Sequence, residues 1–213
     1  MPACVFAVNV LRLRQILPML PDGMSFLKCP LPLQNNAMDI LTTPRLHLRE
    51  ITINDYLDLC EILQDPEVMY AWEHTFTHSQ VITHLETQLE RYSAHGIGLW
   101  AVISKETGAF LGQAGLTIQD CDGKQVLEIG YLFKKKYWHQ GYATEAAIEC
   151  RQYAFQKLHA PEVYSIIRDT NFSSQKVAQR NGMVPVGRFV KHYNGIDMPH
   201  IIYCIKNPYQ TSN

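Results

Sequence analysis

Residues 127–147 read LEIGYLFKKKYWHQGYATEAA and bring together groups able to do chemistry. A helix opening at Gly141 offers unpaired backbone N–H groups and the positive end of its dipole, and Gly141 and Ala143 keep bulk away from a close anion. That suits a phosphate. Lys134, Lys135 and Lys136 lie just upstream, where they can raise the local positive potential or reach a second phosphate. A solvated basic loop before an ordinary helix cap accounts for the same residues equally well. Glu128 adds a carboxylate in mid-strand, where that residue type is a poor strand former and costly to bury without purpose. Gly130, on the same face of the strand, leaves room for a ligand. Such a carboxylate either faces solvent or handles a proton.

The surrounding pattern says which elements must position these groups. Residues 45–50 alternate with period 2 and predict a strand; residues 53–63 have helical spacing and stop at Asp65-Pro66. A second helix is expected over 79–94, with Thr77 or Ser79 as cap and Gly96 beyond its end. Residues 99–105, 109–118 and 125–133 are strands separated by Glu106-Thr107-Gly108 and Cys121-Asp122-Gly123, an antiparallel meander. The helix from Gly141 carries Ala143, Ala146, Ala147, Cys150, Ala154 and Leu158 on one stripe able to lie flat on a sheet. Residues 163–168 form a strand and 171–180 a short helix ended by Asn181-Gly182. Two last strands flank Asn194-Gly195, a strong hairpin signal. The order β-α-α-β-β-β-α-β-α-β-β predicts an α/β fold with one mixed sheet, antiparallel in front and with a parallel strand-helix-strand crossover behind.

The 213 residues are 46% hydrophobic and 18% charged, enough for one domain with a full core. Residues 1–37, with five prolines and no sustained periodicity, read as an extension outside a domain spanning 38–213. A net charge of -1 gives no global reason to expect nucleic acid or an anionic membrane as partner. Six scattered cysteines without C-x-x-C spacing read as reduced thiols, and Arg12 and Arg14 follow the first apolar run rather than precede it as a secretory signal requires. A cytoplasmic, soluble chain is expected, as monomer or homodimer. His74 and His78 lack an H-E-x-x-H frame or an acidic third ligand, so no metal is expected.

The run Trp138-His139-Gln140-Gly141-Tyr142-Ala143-Thr144 resembles the acetyl-CoA loop of the GNAT superfamily of N-acetyltransferases, most closely the RimJ/RimL-like branch. The strand order, the N-x-x-S helix start at Asn171 to Ser174 and the R-N-G helix end at Arg180 to Gly182 fit as well, so the resemblance covers about residues 40–206. Trp138 stands at the superfamily's Arg or Gln position, and His139 where glycine is common.

The resemblance implies a GNAT acyl-CoA N-acyltransferase fold and acetyl-CoA as cosubstrate. Its pyrophosphate would lie on residues 138–144, and its pantetheine on the backbone of Tyr131, Leu132 and Phe133, with Asn171 holding an amide or beginning its helix. Glu128 is then the general-base candidate. Ser174 is the candidate proton donor to the departing thiolate, because the tyrosine that many members carry in this helix is replaced by Ala178. The loop Met69 to Phe76 should overhang the cleft, with Trp72 there and Tyr193 and Asn194 on the last hairpin as candidates for the acceptor side. The implied activity is acetyl transfer to a primary amine of a small molecule or peptide, a protein N-terminus being easier to deprotonate than a lysine. Two other classes compete. A non-catalytic acetyl-CoA sensor would keep the loop and lose the chemistry. A dinucleotide-binding oxidoreductase would need an acidic residue about 20 positions after Gly141 at the end of the next strand, whereas Glu162 precedes that strand and Asp169 lies about 28 positions on.

Overall fold

The computed structural model describes residues 39–193 and 195–209. The expectations for residues 1–37 and for Asn194 lie outside them. The elements are β1 (Leu41–Thr42), β2 (Leu46–Arg49), α1 (Tyr56–Leu63), α2 (His78–His95), β3 (Leu99–Ser104), β4 (Phe110–Cys121), β5 (Lys124–Phe133), α3 (Tyr142–Gln156), β6 (Glu162–Arg168), α4 (Phe172–Arg180), β7 (Val184–Tyr193) and β8 (Ile196–Lys206). They build one sheet in the order β1-β2-β3-β4-β5-β6-β8-β7. Every neighbouring pair is antiparallel except β5 and β6. This is the mixed sheet and single parallel crossover that the sequence predicts.

The differences are local. β1 has two residues, too few to leave a periodic signal. The first helix opens as a 3-10 turn, Ile53–Asp55, because Asp55 is held by both the Thr52 N–H at 2.7 Å and a two-pronged Arg49 contact at 2.7 and 2.8 Å. At α2 the cap is Thr77, whose hydroxyl accepts from the Gln80 N–H at 3.3 Å, rather than Ser79.

The core lies on both sides of β3–β5. Ala146, Ala147, Cys150 and Ala154 of α3 are at most 1% exposed, so the small-residue stripe brings that helix close onto the sheet. The other face is closed by α1 and α2 through Leu59, Ile62, Val81 and Leu85, all essentially fully buried. Cys60, Cys121, Cys150 and Cys204 are free and buried. No helix among the described residues is long and apolar enough to cross a membrane.

Candidate active site

β5 and β6 share a single paired position, Glu128 opposite Tyr164. Beyond it, side chains do what a ladder would otherwise do. The Ile166 N–H donates to Glu128 Oε1 at 2.9 Å, and Ser165 Oγ donates to the Ile129 carbonyl at 2.9 Å. On the other edge β5 stays fully paired with β4. Lys134 N–H donates to the Leu111 carbonyl, and a Cβ on Gly112 would sit 2.4 Å from the Leu132 carbonyl oxygen, so the even-numbered residues turn their backbone to β4. The odd-numbered residues turn theirs to the gap. There the Ile129 carbonyl is taken by Ser165, and the Phe133 carbonyl by the Trp138 indole N–H at 2.8 Å. The N–H and C=O of Tyr131 face the gap between these two anchored carbonyls. Of the three residues expected to offer backbone to a cofactor, Leu132 is the one whose backbone is turned to β4.

Two chambers flank the split. One, of about 300 Å³, is lined by Glu128, Gly130, Trp72 and Tyr193 among others. The second, of about 430 Å³, is lined by Phe133, Trp138, His139 and Gly141 to Thr144. Tyr131, Leu132, Trp72, Asn171 and Ser174 line both, so the chambers meet at the gap. A Cβ on Gly130 would meet only Leu99 Cδ2 at 3.4 Å, which leaves the first chamber its floor space.

The second chamber ends at the start of α3. Gly141 caps that helix with φ at 82°, a left-handed conformation that disfavours a side chain, and the N–H groups of Tyr142, Ala143 and Thr144 have no carbonyl four residues back to bind. His139 also sits in the left-handed region, at φ 61°, which explains physically why glycine suits that position. The loop is braced from a distance. Arg45 Nη1 donates to the Gln140 carbonyl at 3.0 Å, Arg45 Nε donates to Glu145 at 2.6 Å, and its guanidinium lies 4.4 Å from the Tyr142 ring centre. Gln140 itself does not line the chamber; its side-chain amide donates to the Lys136 carbonyl at 3.1 Å.

None of the three upstream lysines lines the second chamber. Lys134 is buried and paired with Asp58 at 2.5 Å and Glu61 at 2.8 Å, while Lys135 pairs with Glu67. The cations that line the second chamber are Lys176 and Arg180 of α4 instead. Sequence reasoning missed Arg45, Lys176 and Arg180, since no local pattern links positions so far apart along the chain to the loop.

Burial pushes the Glu128 carboxyl up to about 7, against the Ile166 N–H and the charges of Lys191 and Arg91, which pull it down. A carboxylate poised there can both take and release a proton near neutral pH. At α4, Asn171 is the cap: its Oδ1 accepts from the Ser174 N–H at 3.1 Å and from the Tyr70 hydroxyl at 2.7 Å. Asn171 thus begins the helix, one of the two roles expected of it. The Ser174 carbonyl accepts from the Tyr131 hydroxyl at 3.0 Å. Ala178 is buried in the core and lines neither chamber.

Trp72 ends a 3-10 turn, Tyr70–Trp72, that is pinned to β6 because Arg168 donates to the Ala71 carbonyl at 3.1 Å and pairs with Glu73. His74 lies between Phe76 and Tyr193, with ring centres 5.4 and 5.3 Å away. His78 instead meets the Tyr56 hydroxyl at 2.7 Å, so the two histidines serve separate packing contacts. No group of metal-ligating side chains is found among the described residues.

A family model described as an acetyltransferase (GNAT) domain matches residues 45–184. The protein YkkB of Bacillus subtilis is 34% identical over 149 residues, covering 70% of this chain and 87% of its own. FsC-acetyl coenzyme A-N(2)-transacetylase of Aspergillus fumigatus is 30% identical over 189 residues, covering 79% of this chain and 77% of its own. Among solved structures, the ribosomal-protein acetyltransferase RimL in complex with coenzyme A superposes with a TM-score of 0.66 at 14% identity, over 79% of this chain and 98% of that one. At that identity the likeness speaks to the fold.

Proposed function

The chain belongs to the GNAT acetyltransferase family, and from that premise we propose that it moves acetyl from acetyl-CoA to a primary amine by direct attack in a ternary complex. The observation that carries this reading is the meeting of the two chambers at the β5/β6 split, with Glu128 on one side and the α3 start on the other. The first-turn N–H groups of α3, with Arg180 and Lys176 nearby, hold the pyrophosphate. Tyr131 pairs its backbone with the pantetheine arm and turns its N–H to the thioester oxygen, where negative charge develops.

Glu128 takes the proton from the amine as the nitrogen attacks the carbonyl carbon. The C–S bond then breaks, and Ser174 Oγ gives the thiolate its proton, to be restored from solvent. A base near 7 matches an amine whose own reference value is about 8 better than one near 10.4. Low-basicity α-type amines, the class of a protein N-terminus, are the acceptors this favours. The Aspergillus relative's name, which couples acetyl coenzyme A to an N(2) nitrogen, supports the same donor and a nitrogen acceptor.

One observation favours a second reading. With Ala178 at the tyrosine position and buried, a chain that binds acetyl-CoA without turnover would retain every contact of the second chamber. Thiol release from acetyl-CoA across peptide and small amines separates the two. The transferase reading expects turnover, with intersecting lines when both substrates are varied. Parallel lines would contradict direct attack, and binding without any turnover would favour the sensor.

A further inference from the structure

The first chamber has a charge imbalance that amine chemistry alone does not use. Glu128 is the one carboxylate among its lining residues, against three cations: Arg91 from α2, Arg168 from β6 and Lys191 from β7. Arg168 is committed to Glu73, although its buried Nε has no partner. Neither Arg91 nor Lys191 forms an ion pair with a carboxylate among the described residues. The remaining walls are mostly apolar, with Leu63, Met69, Phe76 and Met198 among them.

We propose that the acceptor is a small amine that also carries a carboxylate, an amino acid with an apolar side chain, whose carboxylate is held by Arg91 and Lys191. This rests on the transferase reading and changes its acceptor class, from the peptide-type α-amine that basicity alone favours to a free α-amine beside its own carboxylate. A volume of about 300 Å³ is at the small end of ligand pockets and suits a molecule of that size. The field inside the chamber agrees. Two histidines on its wall have their proton affinity lowered by burial, with smaller lowering by these cations (His84 by Arg91, His200 by Lys191 and Arg168) against the raising effect of hydrogen bonds with Gln113 and the Met198 carbonyl and of Asp169 near His200. A polyamine would bring a second ammonium into this field and be repelled. A carboxylate would neutralise it while leaving the amine free to approach Glu128.

The test compares apolar amino acids, each beside its carboxamide and its decarboxylated amine, in thiol release from acetyl-CoA by the full chain. Spermidine and a short peptide with an amidated C-terminus complete the panel. The expected result is a preference of about tenfold or more in kcat/KM for the carboxylate-bearing member of each set, expressed mainly in KM. R91M and K191M should each reduce that preference and together erase it, with acetyl-CoA affinity, measured by calorimetry, kept as the check on folding. Equal or better turnover of the carboxamides, the spermidine or the peptide overturns the inference while leaving the transferase reading standing. So does a preference that survives in the double variant. Absence of turnover with every amine, despite acetyl-CoA binding, removes the transferase reading and this one with it.

Discussion

Glu128 and Ile166 meet across the point at which β5 and β6 part, the Ile166 N–H donating to Glu128 Oε1 at 2.9 Å where a ladder bond between strands would otherwise lie. The contact fixes the carboxylate in the wall of the first chamber and leaves its second oxygen without a hydrogen bond from Ile166. Burial raises its proton affinity, so the placement that would suit a base near neutral pH has a cost in stability.

That cost has a definite sign. The folded-state value near 7 lies above the ordinary 4.5, so the folded chain holds this proton more tightly than the unfolded one does. The contribution is fully present below about 4.5 and is lost as pH rises through 7, an effect on the order of 3 kcal/mol between the two ends. Glu128→Gln keeps an oxygen for the Ile166 N–H and removes the charge. Thermal unfolding at pH 5 and pH 8 should therefore find the variant gaining on the wild type at the higher pH.

Gly141→Ala places a Cβ on a residue at φ 82°, with Arg45 Nη2 3.4 Å away. The left-handed conformation costs roughly 1–2 kcal/mol for a residue with a side chain. Lower stability by about that amount and weaker acetyl-CoA binding are expected in calorimetry. An unchanged dissociation constant would mean that the α3 start does not hold the pyrophosphate.

Trp138→Phe keeps most of the ring and deletes the indole N–H that ties the loop to the Phe133 carbonyl. Loss of one such bond is worth about 1 kcal/mol. The KM for acetyl-CoA should rise by roughly fivefold with little change in the KM for amine. Steady-state kinetics with each substrate varied in turn decides it.

Gly130→Val fills the floor of the first chamber, where only Leu99 Cδ2 is near. The side chain would enter the first chamber, where the proposed reaction holds its amine, and not the chamber at the α3 start. A rise of at least about tenfold in the amine KM, with acetyl-CoA affinity retained, is the expected split.

Much of this was legible in the sequence because the signals were local. Gly141 and Ala143 sit within one turn of each other, Asn171 and Ser174 within three residues, and the Glu128-Ile129-Gly130 triplet carries both an unusual strand residue and its open neighbour. The strand order followed from turn signals at Gly108, Gly123 and Gly195. What could not be read was long-range. Arg45 braces Gln140 and Glu145 from about 100 residues away, and Lys134 is claimed by Asp58 and Glu61 of a helix that its own segment gives no sign of. The three consecutive lysines look alike in sequence, and only packing separates the buried one from its exposed neighbours. Leu132 was misjudged for a related reason. Alternation says that neighbours face opposite edges, but which edge opens depends on where β6 leaves β5.

The central claim is that Glu128, in the wall of the first chamber, works as the base. It is tested most directly by the pH dependence of kcat/KM for thiol release, measured for the wild type and for Glu128→Gln with acetyl-CoA binding followed in parallel. The expected profile rises through an apparent value near 7 in the wild type, and in the variant loses that limb along with about 10²–10⁴-fold of rate, while acetyl-CoA still binds. A variant that retains both the limb and the rate would contradict the claim.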